Sequence, residues 1–106
     1  MPRDQTEESF RDALPRLLTE QGMSLRELSR RLGMDATYLS RVRRGSKRLP
    51  SRLPGRVAVS LGLPEDYFPE TREALIMDAM RSSSALREEI YERFVRGRRK
   101  ASERKR

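Results

Sequence analysis

The chain of 106 residues contains no cysteine and no histidine. Without cysteine, a disulfide framework, a thiolate metal site and a cysteine nucleophile are all excluded. Without histidine, the commonest general base and metal ligand is missing as well. No apolar run approaches the ~20 residues that a membrane-spanning helix needs. The opening stretch MPRDQTEES is polar, unlike the basic and then apolar start of a secretory leader. The simplest expectation is a cytoplasmic protein. There is also no glycine-rich phosphate loop, metal-ligand spacing or nucleophile–base arrangement. Neither an enzymatic activity nor a cofactor is therefore expected, and no metal.

What the chain does have is charge, unevenly spread. The formal net charge is +8. Residues 1–21 carry 3 basic and 5 acidic groups, and residues 24–56 carry 10 and 2. Residues 57–96 carry 5 basic and 8 acidic groups, and residues 97–106 carry 6 and 1. The positive charge thus sits in a central segment and at the end, with acidic stretches between. A focused basic segment suits a polyanion partner. A solvated arginine-rich surface is the plainer alternative, but it would not segregate the acids. For the terminal stretch both readings stay open.

The central segment Gly22–Gly45, GMSLRELSRRLGMDATYLSRVRRG, carries two sets of helix punctuation. Ser24 with Glu27 three residues on forms a capping box, and Met23 with Leu28 a hydrophobic staple. Leu25, Leu28 and Leu32 share one helical face, and Gly33 supplies a left-handed stop. The signals then repeat: Asp35 as cap, Met34 and Leu39 as staple, Leu39 and Val42 inward, Gly45 as stop. Two helices joined by a turn of about three to four residues make a helix-turn-helix.

The second helix of the pair turns Ala36, Thr37, Ser40, Arg41 and Arg44 outward, with Arg43 nearby, and none is acidic. A helix entering the major groove meets base edges with its N-terminal part and phosphates with its flanks. Ala36 and Thr37 suit a thymine methyl or a single hydrogen bond, and Arg41 suits the O6 and N7 of guanine. The expected base contacts are Ala36, Thr37, Ser40 and Arg41. The expected phosphate contacts are Ser24, Tyr38, Arg43, Arg44, Lys47 and Arg48.

At these positions the chain resembles the Cro/C1-type (Xre-like) helix-turn-helix regulators. The matching residues are Leu28, Ser29, Leu32, Gly33, Tyr38, Leu39, Ser40, Val42 and Gly45, followed by Leu49-Pro50-Ser51 and Leu61-Gly62-Leu63-Pro64. The chain departs from the family at Leu25, where Gln is usual, and at Arg43, where Glu is frequent. The resemblance covers about residues 8–80. It implies an all-α fold: a small five-helix lambda-repressor-like DNA-binding domain, here with an additional C-terminal helix and a basic tail.

Residues 1–8 are expected to be a flexible N-terminus and residues 9–81 the DNA-binding domain. In its first helix, Phe10, Ala13, Leu14, Leu17 and Leu18 keep helical spacing across Pro15. An interior Pro is unfavourable by about 3 kcal/mol, so the helix should kink there or start close by, and the resemblance implies a kink. Pro50 and Ser51 lead into a fourth helix with Pro54 in its first turn and Leu53, Val57, Ala58 and Leu61 inside. Pro64 opens a short helical turn closed by Pro69, with Tyr67 and Phe68 as core plugs. Thr71 is the expected cap of a helix to about Met80.

A last helix over 82–96 carries Leu86, Ile90, Tyr91, Phe94 and Val95, and suits dimerisation, folding back or a protein partner. Residues 97–106 read as a basic disordered tail. The expected function is a sequence-specific regulator of transcription, a repressor, binding double-stranded operator DNA as a homodimer. The alternative is an antitoxin-type protein-interaction module with autoregulatory DNA binding. No membrane partner is expected.

Overall fold

Ser9 starts the first helix: its extended backbone and side-chain oxygen, which accepts from the Asp12 amide at 3.2 Å, satisfy one orphan donor of the first turn. The helix, α1, is Phe10–Glu20 and runs through Pro15 without a break, so a start near Pro15 does not occur. Burial on both sides of the ring offsets the hydrogen bond that Pro15 cannot donate. Phe10, Ala13 and Leu14 precede or flank it, Leu17 and Leu18 follow, and all five are buried. The computed structural model describes residues 5–104, with side chains through Arg99. Among them there are six helices and no strand.

The helix pair forms where its punctuation sets it. α2 is Leu25–Leu32 and α3 is Ala36–Arg44. Half of the capping box is made: the Ser24 oxygen accepts from the Glu27 amide at 3.1 Å, while the Glu27 carboxylate pairs with Arg31 at 3.4 Å. Gly33 takes a φ of 67° and lets the Met34 amide reach the Ser29 carbonyl at 2.9 Å. Any other L-residue there would be disfavoured by roughly 1–2 kcal/mol. Asp35 then accepts from the Thr37 and Tyr38 amides at 2.7 and 3.2 Å and opens α3. Leu28, Leu32, Leu39 and Val42 are buried. Ser29 is buried too, its hydroxyl donating back to the Leu25 carbonyl at 2.8 Å.

α4, Leu53–Ser60, packs on α2, and α1 packs on α3. α4 has no side-chain cap, but Pro54 in its first turn has no amide to leave unpaired. The stretch after it is a turn rather than a helical segment, closed by the Tyr67 amide on the Pro64 carbonyl at 3.0 Å. It delivers Tyr67 and Phe68 into the core. The Phe68 ring meets Phe10 edge-on at 5.1 Å between centroids, and meets Tyr67 the same way at 5.2 Å, geometry that aromatic quadrupoles favour.

α5, Pro69–Ser82, begins earlier than a cap at Thr71 would allow. Proline is pre-set for the first helical position, so the helix starts at Pro69. Thr71 lies inside it, buried, with its hydroxyl unpartnered. The first turn of α5 also holds the start of the chain. Glu70 accepts from the Phe10 amide at 2.9 Å, and Arg72 donates to the Thr6 carbonyl at 2.7 Å. The Thr6 amide donates to Tyr67 at 2.9 Å. Residues 5–8 are thus bonded into the domain where a flexible end is expected, while residues 1–4 lie outside the described residues.

The chain divides into two compact units at Ala74, ahead of the expected domain end at residue 81. The first unit holds everything described so far up to the start of α5. The second begins at Leu75 with the rest of α5 and continues as α6, Ser84–Arg104. Ser83 separates the two helices and its hydroxyl accepts from the Leu86 amide at 3.1 Å. α6 extends well beyond 96, through most of the stretch expected as a disordered tail. Arg, Lys, Glu and Ala are good helix formers, and Glu89–Arg93 at 2.9 Å and Glu92–Arg96 at 3.9 Å add i,i+4 support. Residues 105–106 of that stretch lie outside the described residues.

Candidate nucleic-acid interface

The helical period sets which side chains α3 shows. Leu39 and Val42 face the core, so positions 36, 37, 40, 41 and 44 fall on the opposite side. Thr37, Arg41 and Arg44 are exposed, and Ala36, Ser40 and Arg43 are half-buried. Tyr38 sits at the border of this face, half-buried against the core. Lys47 and Arg48, in the loop after Gly45, are exposed. Ser24 is exposed at the start of α2, and its oxygen is engaged with the Glu27 amide. The four expected base-reading residues and Arg44 therefore share one surface of one helix. Ser24 belongs to the other helix of the pair.

The electrostatics of this surface are set by what its cations lack. Among the described residues, Arg41, Arg43, Arg44, Lys47 and Arg48 make no ion pair. Some arginines elsewhere are committed, Arg16 to Glu8 and Glu20 at 2.8 and 3.0 Å and Arg31 to Glu27, while Arg26, Arg30 and Arg52 are exposed and, among the described residues, also make no ion pair. The one carboxylate at the start of α3, Asp35, is taken up by two amides. Arg41, Arg43 and Arg44 also lie in the last turn of α3, where the helix dipole favours cations. The result is a polar helix face with uncompensated positive charge at its C-terminal end and in the next loop.

Three residues that brace the helix ends of the first unit were not recognisable from sequence spacing. Arg11 of α1 donates through Nε to the Val42 carbonyl at 2.9 Å and through Nη2 to the Lys47 carbonyl at 3.2 Å. It thereby caps the end of α3 and tethers the loop that carries Lys47. Arg56 of α4 does the same for α2, donating to the Leu32 carbonyl at 2.7 Å. Gln21 donates to the Leu61 carbonyl at 2.8 Å at the end of α4. Arg11 and Arg56 count toward the positive charge of the chain, yet both spend it on helix C-termini. The sequence distance between partners, 31 residues for Arg11 and Val42, leaves no local signal to read.

Among the described residues, no three acidic side chains cluster closely enough to hold a metal ion, and no helix is long and apolar enough to cross a membrane. The surface offers instead hydroxyls, methyls and guanidinium groups, which is chemistry suited to base edges and phosphate oxygens. The Helix-turn-helix family model matches residues 16–68, from inside α1 to Phe68, and so spans α2, α3 and α4. No curated protein and no solved structure matches the chain.

Proposed function

The chain belongs to the Cro/C1-type helix-turn-helix family and is a DNA-binding protein; from that premise we propose that it is a sequence-specific transcriptional repressor acting on double-stranded operator DNA as a homodimer in the cytoplasm. The observation that carries this reading is the set of cations on α3 and in the loop after it that make no ion pair among the described residues.

In this reading α3 enters the major groove. Arg41 donates to guanine O6 and N7, Thr37 and Ser40 offer hydroxyls to base edges, and Ala36 and the Thr37 methyl meet thymine methyls. Ser24, Tyr38, Arg43, Arg44, Lys47 and Arg48 contact phosphates and fix the register. Each neutralised phosphate releases counterions, so log affinity falls with log salt by about 0.9 per contact. Occupancy of the operator then excludes polymerase.

Selection of duplex DNA from a random pool at near-physiological salt tests this reading. Two inverted half-sites about one helical turn apart are the expected product. Binding without sequence enrichment that vanishes as salt rises would refute it. The alternative, an antitoxin-type interaction module with autoregulatory DNA binding, draws on the exposed apolar residues of the second unit. Co-purification with a protein encoded beside this gene would favour that alternative.

A further inference from the structure

The second unit has helices but no interior. Among residues 75–99 none is buried, and the large apolar side chains are open to water: Leu75 is 59 % exposed, Tyr91 68 % and Phe94 62 %. Helices of this kind draw most of their stability from an apolar face packed against something. Along α6, Leu86, Ile90 and Phe94 repeat every fourth residue and make one seam. Beside it, Met80, Ile90, Tyr91 and Phe94 line a groove of about 570 Å³, with Arg87 and Glu88 among its polar walls.

The charge along α6 says what fits. Residues 84–92 hold one basic and three acidic side chains, and residues 93–99 hold four basic and none acidic. A second α6 lying parallel would set basic half against basic half. A second α6 lying antiparallel sets each acidic half against the partner's basic half, and brings Ile90 level with Phe94 of the other copy. Antiparallel packing also opposes the two helix dipoles favourably. A DNA or anionic lipid surface matches the basic half but is repelled by the acidic half that shares the apolar seam.

We propose that residues 75–99 pair with the same residues of a second copy, the two α6 helices running antiparallel with Ile90, Tyr91 and Phe94 at the centre. This specifies the homodimer of the preceding reading and rests on it. The acidic and basic halves set direction, because a parallel arrangement stacks like charge on like. The apolar seam supplies the affinity.

The cysteine-free chain makes the direction measurable. In the full chain, Glu89→Cys and Arg96→Cys variants are prepared singly and mixed, then treated with a short bismaleimide cross-linker. The antiparallel pairing gives cross-linked dimer in the mixture and little with either variant alone. Efficient cross-linking of each variant with itself would overturn it in favour of a parallel pair. Sedimentation of the unmodified chain without DNA should show a concentration-dependent dimer, and Phe94→Glu should raise its dissociation constant at least about tenfold. Phe94 is exposed and lies outside the first unit, so that variant keeps the amide-exchange protection of the first unit.

A chain that stays monomeric up to hundreds of micromolar would overturn the pairing. The DNA reading is tested separately by whether Phe94→Glu still binds a single half-site. Half-site binding by a wild-type chain that stays monomeric sinks the dimer alone, whereas loss of all sequence preference in a folded wild-type dimer sinks the DNA reading alone.

Discussion

Arg11→Ala should weaken the fold from a position outside the helix-turn-helix pair. The guanidinium makes two bonds, to the carbonyls of Val42 and Lys47. The first is part-buried; a charged donor to a carbonyl contributes about 1.5–3 kcal/mol, and the lower end applies at this exposure. The second is exposed and adds about 0.5 kcal/mol or less. A cation at a helix C-terminus adds roughly 0.3–1 kcal/mol. Together the loss is about 2 kcal/mol, or roughly 8–16 °C in Tm for a domain of this size.

Thermal unfolding followed by circular dichroism reads the total. Amide exchange reads its location: Ser46 and Lys47 both donate to the Arg41 carbonyl, and their protection should fall more than that of the α1 amides. Arg11→Lys keeps the charge but reaches one acceptor, so it should recover about half. A Tm change under about 2 °C with unchanged exchange at Ser46 and Lys47 would refute the capping role. So would a uniform loss of protection across the domain.

Three further outcomes follow from the same geometry. Gly33→Ala should destabilise the first unit by about 1–2 kcal/mol through its positive φ alone, since a Cβ there meets nothing within 4 Å; a urea midpoint equal to wild type would contradict this. Arg41→Ala should cost about 1–3 kcal/mol at the selected site and flatten preference at one base pair, and a binding titration against single-base variants of the site shows whether it does. Lys47→Ala should weaken all duplexes alike and lower the salt slope by about 1; an unchanged slope would remove Lys47 from the phosphate set.

The helix pair was legible because its signals are local. Ser24, Gly33, Asp35 and Gly45 each act within four residues of their own position, and each ends or starts a helix as expected. The core plugs Tyr67 and Phe68 were legible for a related reason, as aromatics between two prolines with no helical face of their own. What could not be read depends on distant partners. Pro15 is tolerated because residues on both sides of it are buried against other elements. Residues 5–8 looked like a free end because Tyr67 and Arg72, which bind Thr6, lie more than sixty positions away. Thr71 looked like a cap because Pro69, two residues earlier, was assigned to closing a turn rather than opening a helix. The reach of α6 was hidden by composition, since a run of Arg and Lys reads as a solvated tail although both are good helix formers and continue a helix already begun. For the surface proposed to face DNA, the residue types and their common face were readable, but the arginines that brace it were not separable from those that make no ion pair among the described residues.

The clasp between the start of α1 and the start of α5 also has a meaning in time. On the ribosome, Phe10 emerges about sixty residues before Glu70, whose carboxylate takes its amide, and before Phe68, whose ring covers its own. At about 5–20 residues per second, Phe10 at the start of α1 waits roughly 3–12 s for these two partners. A helix of 11 residues with an internal proline has little stability alone over that interval. The two helices of the central motif, whose contacts are close in sequence, are free to assemble during the wait. The nascent first unit is therefore built from its middle outward, and the start of α1 is among its last parts to be secured.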